Sequence, residues 1–157
     1  ACMLILMRAD KAKALGYRPL GKVRSFAWAG LEPERMGLGP AYSSPKALDA
    51  AGLQMKDMGL VELNEAFAAQ VIAVQKMSAS KKFAQEKLGR SEAVGEIRDE
   101  ILNVNGGAIA LGHPVGTTGA RLVLTLAKEM QIRDVQFGLA TLCIGGGQGG
   151  SLIVEKV

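Results

Sequence analysis

The sequence predicts a layered α/β fold, a mixed five-stranded sheet with one helix buried between layers. Three observations carry that prediction. Helical and strand-like segments alternate along the chain until a final hairpin, as in α/β layer architectures. The 157 residues are 48% hydrophobic, enough for one domain with a sizeable core and too apolar for disorder. The glycines are clustered, with 11 of the 20 lying between Gly106 and Gly150. Glycine is the residue whose backbone is most costly to order, so such a cluster points to backbone geometry that the chemistry requires.

Each element has its own signal. Cys2–Met7 is an apolar run expected to be a buried strand, and Ala9–Leu15 a short helix ended by a left-handed Gly16. Gly21–Ala29 alternates like a strand, with Val23, Ser25, Ala27 and Ala29 on one face and Arg24, Phe26 and Trp28 on the other. Gly37–Pro40 is expected to be a loop, followed by a helix capped by Ser44, with Pro45 in its first position and Gly52 past its end. Leu60–Leu63 is a short strand. Asn64 then opens an apolar helix from Glu65 to about Met77. Lys76–Glu100 holds six basic and five acidic residues in 25 and is expected to be a charged surface insert with one or two short helices. Ile101–Val104 is a strand leading into the glycine-rich region. A helix from Thr117 or Thr118 to about Met130 is apolar on nearly all faces and so is expected to be buried. Val135–Cys143 is a strand, Gly145–Gly150 a turn and Ser151–Lys156 the last strand.

Composition removes several functions. The net charge of +4 comes without a dense Lys/Arg block, and one Trp, two Tyr and four Phe are few for base stacking, so no nucleic-acid partner is expected. Two cysteines and one histidine are too few for a zinc site, and no metal is expected. The same two cysteines, Cys2 and Cys143, point away from a disulfide framework and toward a reducing compartment, the cytoplasm or, in a eukaryote, the mitochondrial matrix. No apolar run reaches the roughly 20 residues of a membrane span. The chain lacks an initiator Met and opens on a strand-like run, as a fragment or processed piece would.

Two glycine motifs fail on inspection. Gly145, Gly147 and Gly150 have dinucleotide-loop spacing, but that loop must open a helix and be followed by an acidic residue about 20 positions on. Gly107 and Gly112 have half of a phosphate loop, but the following Lys and Ser/Thr are replaced by His113 and Pro114. Three polar residues remain, each at a strand end beside small neighbours: Asn64, His113 and Cys143. Ligands of open α/β sheets bind at such ends. A thiol and an imidazole there can pass protons, and an amide can orient a water or an oxyanion. Taken singly, the same residues fit a structural histidine, a small buried hydrophobe and a helix cap, and the glycine run fits a plain hairpin turn. Composition and spacing leave both readings open.

Three segments, in order, resemble the C-terminal signatures of thiolases: Asn64-Glu65-Ala66-Phe67-Ala68-Ala69-Gln70, Asn103 to Pro114 through Gly106-Gly107 and Gly112-His113, and Cys143-Ile144-Gly145-Gly146-Gly147-Gln148-Gly149. Gly119-Ala120-Arg121 is similar to the start of a helix in that family. The resemblance implies the C-terminal half of a CoA-dependent acyltransferase catalysing a reversible Claisen reaction, with coenzyme A thioesters as substrates and no further cofactor. His113 matches the base that activates the nucleophilic cysteine and helps line an oxyanion hole. Cys143 matches the second cysteine, which exchanges a proton with the acetyl-CoA α-carbon. Asn64 matches the residue that holds a water in the first oxyanion hole, and the backbone of Gly145 a donor in the second. Ala66 and Phe67 would line the pantetheine end of the channel.

The resemblance also implies what this stretch would lack: the nucleophilic cysteine of the N-terminal half and the loop domain that holds the CoA nucleotide. An N-terminal thiolase half, in the same gene product or a separate chain, is therefore the expected partner, the complete enzyme is expected to be a homo-oligomer, and these 157 residues alone are expected to be inactive. The 76–100 insert resembles that of fatty-acid β-oxidation thiolases of trifunctional complexes, whereas Cys143-Ile144-Gly145 resembles the acetyltransferase type, so chain length and direction stay open. The alternative is a non-catalytic thiolase-like protein that binds acyl or lipid ligands or serves assembly; joint retention of Asn64, His113 and Cys143 speaks against it.

Overall fold

A computed structural model describes residues 1–157. Its elements are α1 (Ala9–Ala14), β1 (Lys22–Gly30), α2 (Gly39–Ala51), β2 (Leu60–Leu63), α3 (Ala68–Ser78), α4 (Lys81–Leu88), α5 (Ala108–Leu111), α6 (Val115–Arg133), β3 (Phe137–Ile144) and β4 (Gln148–Glu155). The strands form one mixed sheet in the order β1-β4-β3-β2, parallel only between β2 and β3. Strand alternation sends side chains to two cores. Val61, Leu63, Leu139 and Ile153 pack with Ala47, Leu48 and Ala51 of α2 on one face. On the other, Leu60, Ala140 and Val154 pack with Leu122, Leu126 and Met130 of α6.

The layered α/β class holds, but the sheet has four strands rather than five. Cys2–Met7 has no regular structure and pairs with no strand, and Met3, Ile5 and Leu6 are exposed. An apolar run has strand propensity, but only a hydrogen-bonding neighbour makes it a strand, and that is a tertiary fact. Ile101–Val104 is likewise no strand. It makes one bridge, Leu102 to Val61, and then turns at Asn103 (φ 44°). The Asn103 side chain takes over the ladder: Leu63 N–H donates to its Oδ1 at 2.9 Å and its Nδ2 donates to Leu63 O at 2.8 Å. An amide imitates a backbone here, which strand propensity does not register.

Helix boundaries shift for similar reasons. Gly37–Pro40 is not a loop, because a 3₁₀ turn at Pro33–Leu38 runs directly into α2, which starts at Gly39 and contains Pro45 in its interior. Ser44 therefore does not cap it. Instead Ser43 and Ser44 join Thr141 and Ser151 in a buried hydroxyl cluster between α2 and the sheet. Gly52 ends α2 in the left-handed region, as expected (φ 70°). α3 begins at Ala68 rather than Glu65, leaving Asn64–Phe67 as a bend. The charged insert carries α4 and a 3₁₀ turn at Asp99–Ile101, yet it is anchored: Phe83 meets Tyr42 edge-on at 5.3 Å and Ile97 lies in the α2-side core.

α6 starts before Thr117, at Val115, and extends to Arg133. It is covered along one stripe only, because α6 lies over β2 and β3 with nothing on its outer side, and Val115 and Ile132 remain exposed. The face of β1 that α6 does not reach leaves Phe26 65% and Trp28 62% exposed. The glycine turn is shorter than expected, since Gly149 and Gly150 belong to β4. Their missing side chains serve packing: Gly149 lies against the backbone of Gly39, and Gly150 under the Trp28 ring.

Candidate active site

β2 and β3 run parallel, so their C-terminal ends open on the same edge of the sheet. Asn64 follows β2 directly. Its N–H donates to Thr141 O at 3.0 Å, which carries the parallel ladder one step further, and the residue is fully buried. Because Leu63 faces α2, the next side chain turns toward α6. There Asn64 Nδ2 lies 3.3 Å from His113 Nε2, joining positions 49 residues apart. The other amide atom, Oδ1, is buried and has no partner in the chain. A buried, unanswered acceptor beside an imidazole is suited to receive a water or a substrate donor.

The backbone leading to His113 is held at both ends. Gly106 (φ 83°) and Gly112 (φ 88°) take left-handed turns that admit glycine most readily. At the upstream end, Glu65 Oε2 accepts from Ile109 N–H at 3.0 Å at the start of α5, while its Oε1 accepts from Asn103 Nδ2 at 2.9 Å. Gly107 leaves room there, because a Cβ would push the Glu65 carboxylate off these two hydrogen bonds. At the downstream end, His113 Nδ1 is 2.7 Å from Thr118 Oγ1 in the first turn of α6. His113 itself stays open to solvent.

Cys143 is on the last turn of the pleat in β3, paired with Gly149 and buried. Alternation puts it on the α2 side with Leu139 and Thr141. It makes no hydrogen bond to His113 or Asn64, so the two groups flank the open end of β2 and β3 from opposite faces. Burial pushes the Cys143 thiol above its ordinary range, with a main-chain hydrogen bond partly offsetting it. The group is thereby kept as a thiol at neutral pH, a proton donor rather than a standing thiolate. Gly145 begins the turn after β3, is exposed, and its N–H donates to no other main-chain group. Ala66 and Phe67 form the bend after Asn64, Ala66 half-buried and Phe67 exposed.

A second contact ties the same two elements together below the site. Glu62 of β2 is buried and lies 3.7 Å from Arg121 of α6, which is half-buried with its guanidinium out of solvent. Burial raises the Glu62 carboxyl to about 7, against the pull of Arg121, and Glu65 and Glu129 add to the rise. An apolar cavity of about 290 Å³ lined by Phe26, Trp28, Leu122 and Leu142 lies on the α6 face of the sheet and contains none of the polar site residues. No cluster of His, Cys, Asp and Glu could hold a metal ion. No helix is long and apolar enough to cross a membrane.

Sequence reasoning missed Thr118, Asn103 and Glu65 as structural partners of the site. Thr118 had a visible signal, a hydroxyl residue in the first turn of the helix that follows the histidine. Asn103 and Glu65 had none beyond their places in the motifs, since each acts across 38 to 44 residues of chain.

Comparison with known proteins adds an independent line. Residues 17–156 match the family described as "Thiolase, C-terminal domain". The 3-ketoacyl-CoA thiolase of Shewanella amazonensis is 49% identical over 156 residues, covering 99% of this chain and 36% of that protein. That of Photobacterium profundum is 48% identical over the same coverage. The chain thus spans little more than a third of the curated relatives' length. Among solved structures, Bacillus anthracis acetyl-CoA acetyltransferase superposes with a TM-score of 0.82 at 38% identity, over 96% of this chain and 34% of that one. Human mitochondrial 3-ketoacyl-CoA thiolase gives 0.81 at 37% identity, over 95% and 34%. The chain belongs to the thiolase family, and the part of that family it represents is the C-terminal domain.

Proposed function

We propose that this chain supplies the base, proton-donor and oxyanion-binding side of a CoA-dependent thiolase site, whose nucleophilic cysteine comes from an N-terminal thiolase half. The observation that carries the reading is the Asn64–His113 contact at 3.3 Å, at the end of β2, with Cys143 at the end of the neighbouring parallel strand β3. In thiolysis, His113 takes the proton of the incoming cysteine, whose sulfur attacks the 3-keto carbon of a 3-ketoacyl-CoA. The bond between the 2- and 3-carbons breaks, and the electron pair goes to the acetyl-CoA enolate. The Cys143 thiol protonates that enolate at carbon, and burial suits it to hold the proton until then. A CoA thiol then gives its proton to the Cys143 thiolate and attacks the acyl carbon; the bond to the first cysteine breaks, that sulfur takes back the proton held by His113, and acyl-CoA leaves. The unpartnered Asn64 Oδ1 would hold the water that stabilises one oxyanion, and the free Gly145 N–H would face the other. Ala66 and Phe67 would flank the pantetheine arm.

Acyl-CoA, CoA and the N-terminal half are the partners this reading requires. The relatives named 3-ketoacyl-CoA thiolase favour ketoacyl substrates over acetoacetyl-CoA alone. The test is to combine the chain with the N-terminal part of such a relative and assay thiolysis of acetoacetyl-CoA and longer ketoacyl-CoA substrates. Turnover should require both parts and fall at least about 100-fold in His113→Ala. Turnover by the chain alone, or an unaffected His113→Ala, would overturn the proposal.

A further inference from the structure

We propose that Thr118 is a positioning residue for His113, holding the imidazole as the Nδ1–H tautomer so that Nε2 is the nitrogen that carries the lone pair and can accept a proton. The inference gains its catalytic meaning from the thiolase reading, but the tautomer itself is a property of this chain. Thr118 is fully buried, and its hydroxyl has a single proton. Two groups compete for it. Pro114 O, at 3.2 Å, can only accept, and a back-bond of this kind to the fourth preceding carbonyl is the habitual one for threonine in a helix. With the proton directed there, the oxygen presents lone pairs to His113 Nδ1 at 2.7 Å, so that nitrogen carries hydrogen and donates.

The far side of the ring agrees. An unprotonated Nε2 needs a donor, and Asn64 Nδ2 lies 3.3 Å away. The chain of bonds therefore has one direction, from the Asn64 amide to Nε2, and from Nδ1–H through the Thr118 hydroxyl to Pro114 O. The opposite direction would require the Asn64 oxygen to face the ring, and would turn the Thr118 proton away from Pro114 O, which also accepts from the Thr117 and Thr118 N–H groups. A ring fixed in the first direction meets an arriving thiol with its basic nitrogen. In the second it meets it with an N–H and cannot take the proton.

His113 is the only histidine, so its ring nitrogens can be read without ambiguity in long-range proton–nitrogen correlation spectra of the isotope-labelled chain. At about pH 8.5 the wild-type chain is expected to show Nδ1 protonated and Nε2 unprotonated. Thr118→Ser should keep that pattern. Thr118→Val should lower the ratio of Nδ1–H to Nε2–H about fivefold or more, the effect of losing one ordinary hydrogen bond. A packing role alone would not move that ratio. A wild-type ring protonated mainly on Nε2, or a folded Thr118→Val with an unchanged ratio, overturns the inference. Should Thr118→Val not fold, the wild-type and Thr118→Ser spectra still decide it. Failure of the thiolysis assay with the Nδ1–H form observed would count against the functional reading and leave the tautomer assignment standing.

Discussion

At the scale of single residues, the glycines divide by what each backbone position asks. Gly112 has φ 88° with open space where a Cβ would go, so an alanine there meets conformational strain and no clash. Gly145 has neither a positive φ nor a neighbour within 4 Å. Gly112→Ala is therefore expected to lower stability by about 1 kcal/mol, and Gly145→Ala by well under that, in urea titrations of the folded chain. Equal losses would contradict this account of the loop. Asn64 offers a second residue-scale contrast. Asn64→Ala removes the side chain that pairs with Nε2 and would hold the oxyanion-hole water, and in the reconstituted enzyme kcat is expected to drop about 100-fold or more, as when an oxyanion-hole donor is lost. An unchanged kcat would remove Asn64 from the site. Asn64, His113 and Cys143 stood out in the sequence as polar residues beside small neighbours; Asn64 and Cys143 do lie at strand ends, whereas His113 lies between α5 and α6. Thr118 did not, because its role is a direction of hydrogen bonding, visible only when the ring and the helix turn are placed together.

At the scale of elements, β2 and α6 are joined by two rungs. Asn64–His113–Thr118 forms the upper one and Glu62–Arg121 the lower. The lower rung titrates. Glu62 has a folded value of about 7 against an ordinary 4.5, so between those values the folded chain holds a proton that the unfolded chain has lost. Stability contributed by this group is thus complete below about pH 4.5 and falls as pH rises to about 7, by about 3 kcal/mol in all. Glu129 and Asp134, held below their ordinary values by Asn105 with Arg133 and by Lys156, act in the opposite sense and only in more acid solution. Denaturant unfolding from pH 5 to 8 should show the decline in wild type and a flattened profile in Glu62→Gln. A decline that persists in Glu62→Gln would place its origin elsewhere. Elements whose ends are set locally were readable in advance, as with the Gly52 stop of α2 and the short β2. Cys2–Met7 and Ile101–Val104 were misread because strand identity depends on a partner, and at Asn103 that partner is a side chain.

At the scale of the whole molecule, the layered fold followed from alternation of helix and strand, but its coverage did not. α6 has helical apolar residues on more faces than this chain covers, and Phe26 and Trp28 stand on a sheet face that α6 does not reach. Exposed apolar area of this kind drives association in water. Light scattering of the chain by itself should therefore show self-association that grows with concentration, and a monodisperse monomer at high concentration would contradict that. The central claim concerns the site: His113 activates a cysteine, and Cys143 moves the α-proton. Measuring both half-reactions in the reconstituted enzyme separates the two roles. Cys143→Ser is expected to slow deuterium uptake into the methyl group of acetyl-CoA at least about 100-fold while acyl-enzyme still forms, and His113→Ala to slow acyl-enzyme formation. Unchanged deuterium uptake in Cys143→Ser would contradict the account.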